Sequence, residues 1–341
     1  MLADEFNPAK HRSAGTYLSE KLDGMRCLWL PATKGLNTKL IPFANRDKKK
    51  EDNNQIATGL WSRYGNVIFC PDWFTTGWPN RPLDGELYLG RKSMQTLMTV
   101  VKKLEPDPTD WQHVRFHVFD APNYRQIFAP GKINNPNYVK MIDTQKNLDA
   151  LGIDVKGLVD YDFDQTYRLL KRDLQETNYL KLHEQRMLPF STKDALDIIE
   201  EEIHRVTDLG GEGLMIRHPC SMWTPVRSNM LSKYKKLEDA EATIIGYRAG
   251  LGKHLGRLGS FHVRFGATLF DLGTGLTDIE RVLSNDASEW AGRNPGELLP
   301  LDLVNPSPIF PMGTVVTFRF RELTDDGIPK EARYLRVRIT E

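Results

Sequence analysis

Apolar and polar positions alternate in short bursts through the first third of the chain. Met25, Cys27 and Trp29 alternate with Arg26, Leu28 and Leu30. With the preceding Tyr17-Leu-Ser-Glu-Lys21 they read as a strand, a tight Asp23-Gly24 turn and a returning strand, which sets the Lys21 amine at the lip of a sheet. Pro82-Leu-Asp-Gly-Glu-Leu-Tyr88 reads as a second Asp-Gly turn with Glu86 on the strand that follows, and Phe116-His-Val-Phe-Asp-Ala-Pro122 as a strand ending in Phe119 and an acid. Ahead of Pro82, the polar stretch from Thr33 to Asn80 is expected to form loops around the sheet. From Asn123 to Arg186 the pattern turns helical, best over Met141 to Leu151 and Gln165 to Leu180. The clearest helix starts at Ser191, which can cap free amides with Asp194 in capping-box position. Ala195, Ile198, Ile199, Val206 and Leu209 supply its buried stripe, and Gly210-Gly211 stops it, so that Glu212 is delivered by a helix end.

Beyond the helix, Lys233 and Lys235 fall on one face of a strand, because side chains two apart point the same way, and such a pair suits a phosphate. After Lys236 come short strands with glycine turns: Thr243 to Arg248, Ser260 to Phe265, Thr268 to Leu272, Gly313 to Glu322 and Tyr334 to Ile339. Five such strands fit a small barrel, with residues 284–308 as an insertion. The expected class is α+β, with a mixed domain over residues 1–238 and an all-β domain over 239–341.

Composition narrows the chemistry. At 341 residues and 40% hydrophobic the chain can hold two cores. Lys and Arg (46) balance Asp and Glu (45), so a nucleic-acid binder of this composition must gather its cations on one face. Lys48 and Lys49 in the 46–50 run, Lys102 with Lys103, Arg227 with Lys233 to Lys236, and Lys253 with Arg257 are the places to look. Cys27, Cys70 and Cys220 form no Cys-x-x-Cys pair, which argues against a structural zinc site. No apolar run is long enough to span a membrane and the first residues are not a signal peptide, so a cytoplasmic protein is expected. No P-loop occurs; Gly252-Lys-His-Leu-Gly-Arg-Leu-Gly259 has the wrong spacing and reads as a loop between two strands, able to lie along a nucleic-acid backbone.

What remains is an ordered series of islands around Lys21, Glu86, Phe119, Glu212 and Lys233-Tyr-Lys235. In that order they resemble the nucleotidyl motifs of the covalent nucleotidyltransferases: ATP-dependent DNA ligases, RNA ligases and mRNA capping enzymes. The wording of Ser19-Glu-Lys-Leu-Asp-Gly-Met-Arg26, Leu83-Asp-Gly-Glu-Leu-Tyr-Leu-Gly-Arg91, Asp239-Ala-Glu-Ala-Thr-Ile-Ile-Gly246 and the ending Gly313 to Arg338 is similar to that of the small ATP-dependent DNA ligases of bacteria and viruses, which consist of a nucleotidyltransferase domain and an OB domain.

The resemblance implies a three-step reaction with ATP and Mg²⁺: Lys21 becomes adenylylated, AMP passes to the 5′-phosphate at a nick in duplex DNA, and the 3′-hydroxyl displaces AMP. It implies that Arg26 and Arg46 hold the ribose and phosphate side, that Phe119 stacks on adenine, that Glu86 and Glu212 help to bind metal or ribose, and that Lys233 and Lys235 grip the α-phosphate. Arg336 and Arg338 match the arginines that the family brings over the pyrophosphate when the OB domain closes, although the usual Asp-Lys after them is missing. Lys48, Lys49, Lys253 and Arg257 are expected to contact DNA. A monomer acting on nicked duplex DNA without a membrane, in the cytoplasm and open to a phage or viral origin, is the implied setting. The rival readings are an RNA ligase or RNA-capping nucleotidyltransferase, and a non-catalytic OB-type nucleic-acid-binding protein.

Overall fold

The structure is a computed structural model, which describes residues 1–45, 55–129, 144–282, 294, 296–298, 310–324 and 326–338. The chain forms two compact units, Met1–Lys235 and Lys236–Glu341.

In the first unit the elements run β1 (Leu2–Glu5), β2 (Tyr17–Glu20), β3 (Met25–Trp29), β4 (Leu60–Ser62), β5 (Leu83–Tyr88), α1 (Met94–Val101), α2 (Pro108–Trp111), β6 (Arg115–Asp120), α3 (Tyr124–Ile127), α4 (Thr144–Ala150), α5 (Phe163–Asp173), β7 (Leu180–Leu182), β8 (Arg186–Met187), α6 (Thr192–Asp208), β9 (Leu214–Arg217) and β10 (Arg227–Tyr234). They build two five-stranded sheets, ordered β1-β10-β9-β2-β8 and β4-β3-β5-β6-β7.

The hairpin expected around Asp23-Gly24 is therefore not formed: β2 and β3 belong to different sheets. Leu18 is buried with Phe6, Leu214 and Ile216 in one core, to which α6 adds Ala195, Ile199, Ile203 and Val206. Cys27 and Trp29 are buried with Leu83, Leu87, Phe116 and Val118 in another. Burying one side chain of this size contributes about 1.5–3 kcal/mol, so these long-range contacts outweigh a local turn. Lys21 to Gly24 crosses from sheet to sheet, and Gly24 has to be glycine because a β-carbon there would lie 2.2 Å from the Leu87 carbonyl oxygen. Asp84-Gly85 is likewise no turn; it lies inside β5, with Gly85 opposite Cys27 on one side and Val118 on the other.

Other expectations shift for equally specific reasons. Helix α5 begins earlier than expected, at an Asp162–Gln165 capping box, and ends at Asp173. Leu180 instead enters a strand parallel to β6, opposite Phe116. The stretch from Thr33 to Asn80 is more than surface loops, since Ile41, Phe43, Trp61, Phe74 and Trp78 are all buried. Helix α6 is capped by Ser191, whose hydroxyl accepts from the Asp194 amide at 3.3 Å. Its buried stripe includes Ile203, while Leu209, placed there by periodicity, is exposed past the helix end.

The second unit comprises β11 (Glu238–Ala249), β12 (Leu258–Phe265), β13 (Thr268–Leu272), β14 (Val315–Phe320) and β15 (Arg333–Val337) in the order β13-β12-β11-β14-β15. All five strands expected of the barrel are present. Strand β11 starts five residues before the expected Thr243, because Glu238 already pairs with Phe320 in the ladder. The Tyr334 amide donates to the Thr274 carbonyl at 2.8 Å, which brings the two sheet edges together around a core of Ile244, Tyr247, Phe261, Phe310, Val316 and Phe318. Most of the 284–308 segment lies outside the described residues.

Candidate functional site: a lysine between two sheets

Lys21 leaves β2 with its amide bonded to the Gly213 carbonyl at 2.8 Å. Its Nζ donates to Glu212 Oε2. The other oxygen of Glu212 takes an ion pair from Lys235 at 2.6 Å, and both Lys235 and Glu212 are almost wholly buried. Burial alone would raise the Glu212 carboxyl, but the two ammonium groups hold it below the usual range, so it stays ionised. Two cations thus share one carboxylate, and the excess positive charge makes the cluster receptive to an anion. The chain reaches this geometry because Gly213, at φ +152, lies against β10 where a β-carbon would meet the Tyr234 carbonyl oxygen at 2.3 Å.

The facing sheet supplies the rest. Arg26 is opposite Glu86 in the β3–β5 ladder. Its Nε donates to Asp84 Oδ1 at 2.9 Å, its Nη2 to Asp84 Oδ2 and its Nη1 to the Met1 carbonyl. Asp84, fully buried, also accepts from Trp223 Nε1 at 2.7 Å. Burial works against its charge, but Arg26 and the Trp223 hydrogen bond keep its carboxyl below the usual value. The Arg26 guanidinium stands 5.6 Å from the centre of the Phe119 ring, and that ring, half-buried, belongs to none of the hydrophobic cores. Burial pushes Glu86 up to about 8 against the pull of Lys21 and Arg26. A second buried pair, Arg217 to Asp120 at 2.5 Å, joins β9 of one sheet to β6 of the other. Arg217 also lies over Phe163 at 3.9 Å and donates to Ser221 Oγ at 2.9 Å.

The structure thus gathers Lys21, Arg26, Glu86, Glu212 and Lys235, with Phe119 against Arg26. Lys233 pairs instead with the exposed Glu5 at 2.7 Å, on the sheet edge where β1 runs beside β10. Arg46, Lys48 and Lys49 lie outside the described residues. In the second unit Lys253 and Arg257 are exposed on the turn between β11 and β12, Arg336 is exposed on β15, and Arg338 pairs with Glu241 at 2.9 Å. Asp84, Asp120, Arg217 and Trp223 are members of the site that the sequence reading missed. The available signal was spacing: in a strand Asp84 shares a face with Glu86, and Arg217 closes the Gly210 to Arg217 island.

Among the described residues no three His, Cys, Asp or Glu side chains come together as a metal cage. Mg²⁺ commonly takes one or two carboxylates and completes its shell with water and substrate phosphates. Glu86 fits as such a donor, whereas both oxygens of Glu212 are engaged by lysines. Among the described residues no helix is long and apolar enough to cross a membrane.

Comparison with known proteins bears on the whole chain. Residues 249–338 match the family model of a DNA ligase OB-like domain. A DNA ligase of Haemophilus influenzae is 24% identical over 323 residues, spanning 94% of this chain and 86% of the relative. A DNA ligase of Thermococcus fumicolans is 27% identical over 225 residues, 59% of this chain but only 39% of that longer protein. Among solved structures, one from a structure–function study of Lig E DNA ligases, described as binding DNA with a minimal scaffold, superposes with a TM-score of 0.65 at 27% identity, covering 99% of this chain and 98% of its own. In sequence over 94% of its length and in fold over 99% of it the chain is similar to DNA ligases, and residues 249–338 of its second unit match their OB-like domain.

Proposed function

We propose that the protein is an ATP-dependent DNA ligase that seals nicks in duplex DNA, working as a monomer in the cytoplasm. The observation that carries this reading is the Lys21–Glu212–Lys235 cluster beside one sheet, with Arg26 and Phe119 together on the other. Lys21 Nζ attacks the α-phosphate of ATP; a P–N bond forms as the bond to pyrophosphate breaks. The lysyl-AMP then passes AMP to the 5′-phosphate of a nick, and the 3′-hydroxyl attacks that phosphate and expels AMP. Only the free amine is a nucleophile, so Nζ must lose its proton before it attacks, and Glu212, ionised and in hydrogen-bond contact with Nζ, orients the amine.

Each step moves a phosphoryl-type group, so positioning and charge do most of the work. Lys235, just past the end of β10, offers its charge to the α-phosphate, with Lys233 further out on that strand. Arg26, fixed by Asp84, meets the ribose and phosphate side, as does Arg46; Phe119 offers its ring to adenine, a stack worth about 1–3 kcal/mol. Mg²⁺, held by Glu86 and the nucleotide's own oxygens, would neutralise phosphate charge. Arg336 and Arg338 serve the pyrophosphate, and Lys48, Lys49, Lys253 and Arg257 the DNA backbone.

The test is covalent labelling with Mg²⁺ and α-labelled ATP, followed by denaturation. The wild-type protein should retain the label and Lys21→Ala should retain none above background. Absence of label in protein freed of pre-bound AMP would overturn the reading. Labelling from GTP, or sealing of RNA ends alone, would move it to the capping enzymes or RNA ligases.

A further inference from the structure

Arg91 lies outside the set of residues assigned above, yet the structure ties it to three segments that carry them. Its Nε and Nη2 donate to the two carboxylate oxygens of Glu20, both at 2.8 Å. Its Nη1 donates at 3.3 Å to the carbonyl of Leu209, at the end of α6. Glu20 is the residue before Lys21, Leu209 stands three residues before Glu212, and Arg91 itself follows β5, which carries Glu86. Glu20 is held from its backbone as well: His183 Nε2 donates to its carbonyl at 2.8 Å. Burial keeps His183 on the neutral side, which fits the tautomer with the proton on Nε2.

The turn that presents Arg91 is itself unusual. Gly90 has φ 137 and Lys92 φ 58, and Lys92 is one of two non-glycine residues in the left-handed region among those described. Such a conformation costs energy and persists where the surroundings fix it. Here the Lys92 side chain packs against Gly210, on the same helix exit that delivers Glu212. A bidentate arginine–carboxylate pair fixes direction as well as distance, which a lysine cannot reproduce.

We propose that Arg91 is a positioning residue for lysine adenylylation: through Glu20 and the end of α6 it sets where Lys21 stands relative to Glu212 and Glu86. It touches no reacting atom. The inference rests on the ligase reading, and it predicts a loss confined to the chemical step. A displacement of about 1 Å at a reacting group can cost about 10²-fold in rate, and that is the scale expected for Arg91→Ala.

The experiment measures the maximal rate of Lys21 labelling and the ATP concentration at half-maximal rate, alongside the thermal unfolding midpoint. Arg91→Ala and Arg91→Lys should both lower the maximal rate, the lysine variant less, while the half-maximal ATP concentration and the midpoint stay near wild type. The double reversal Glu20→Arg with Arg91→Glu should recover part of the rate lost in Arg91→Glu alone. Wild-type rates in both Arg91 variants, or a fall in rate matched by loss of folded protein in Arg91→Lys, would overturn the inference. If Arg91→Ala does not fold, Arg91→Lys decides alone. Wild-type protein is labelled first: failure there removes the ligase reading and the positioning role with it, whereas normal wild-type labelling with unaffected variants removes only the role of Arg91.

Discussion

Arg217 and Asp120 in the first unit expose 7% and 2% of their side chains, whereas Arg319 and Asp239 in the second expose 44% and 45%. Further pairs repeat the contrast, although the first unit also carries exposed pairs such as Arg172–Asp173 and the second buries Arg281. Lys235–Glu212 and Asp84 beneath Arg26 are buried, while Arg338–Glu241 and Lys330–Glu322 are exposed, with at least 40% of each of these four side chains open to solvent. Charge inside a protein is stable only when paired, and removing one partner then leaves the other stranded without water. Charge at the surface costs little to expose, holds its partner loosely and can exchange it for another anion. The first unit therefore has a site whose geometry is fixed before any ligand arrives, and the second has a surface whose arginines and lysines are available to a polyanion.

The sharpest way to break that distinction is Arg217→Ala. It would leave Asp120 buried without its cation and remove one link between the two sheets, so a loss of about 3–5 kcal/mol is expected in urea or thermal unfolding of the full chain. A loss below about 1 kcal/mol would mean that the buried pair is no more committed than a surface one.

A smaller effect of a different kind is expected on the turn of the second unit. Residues 249–270 contain no acid, and Lys253 and Arg257 are exposed there on a turn closed by the Gly250 amide bonding to the Arg257 carbonyl at 2.8 Å. Each contact with a DNA phosphate releases condensed counterions. Lys253→Ala and Arg257→Ala should each weaken binding to nicked duplex DNA and reduce the slope of log affinity against log salt by about 0.9. Equal slopes for wild type and both variants would show that the turn stays off the backbone.

The same contrast governs how much could be read from the sequence. Lys21, Glu212 and Phe119 were legible because glycines, a helix stop and a strand end mark them locally, and the barrel strands were legible because their alternation is regular. Asp84 and Asp120 were not, since a carboxylate in a strand reads as surface until its arginine is placed, and Arg26 lies 58 residues from Asp84. The hairpin error has the same origin. Alternation around Asp23-Gly24 is genuine, but sheet membership is decided by Leu18 pairing with Ile216 and Cys27 with Gly85, far along the chain. The early start of β11 was hidden because the inward positions there are only Ala240 and Ala242, too small to stand out against Glu238, Asp239 and Glu241.

The smallest expected effect is the one that completes the comparison. Asp239 and Arg319 form a two-bond pair, at 2.5 and 2.8 Å, between adjacent strands of the barrel, which on geometry alone looks as strong as Arg217–Asp120. Both groups are nearly half in water, where screening and the entropy of holding two long side chains offset most of the attraction. A double-mutant cycle of Asp239→Ala and Arg319→Ala should give a coupling of about 0.2–1 kcal/mol, diminishing as salt is added. A coupling that exceeds this range and resists salt would place the pair with the buried ones, and the second unit's charges would then be structural commitments that its arginines cannot release to a nucleic acid.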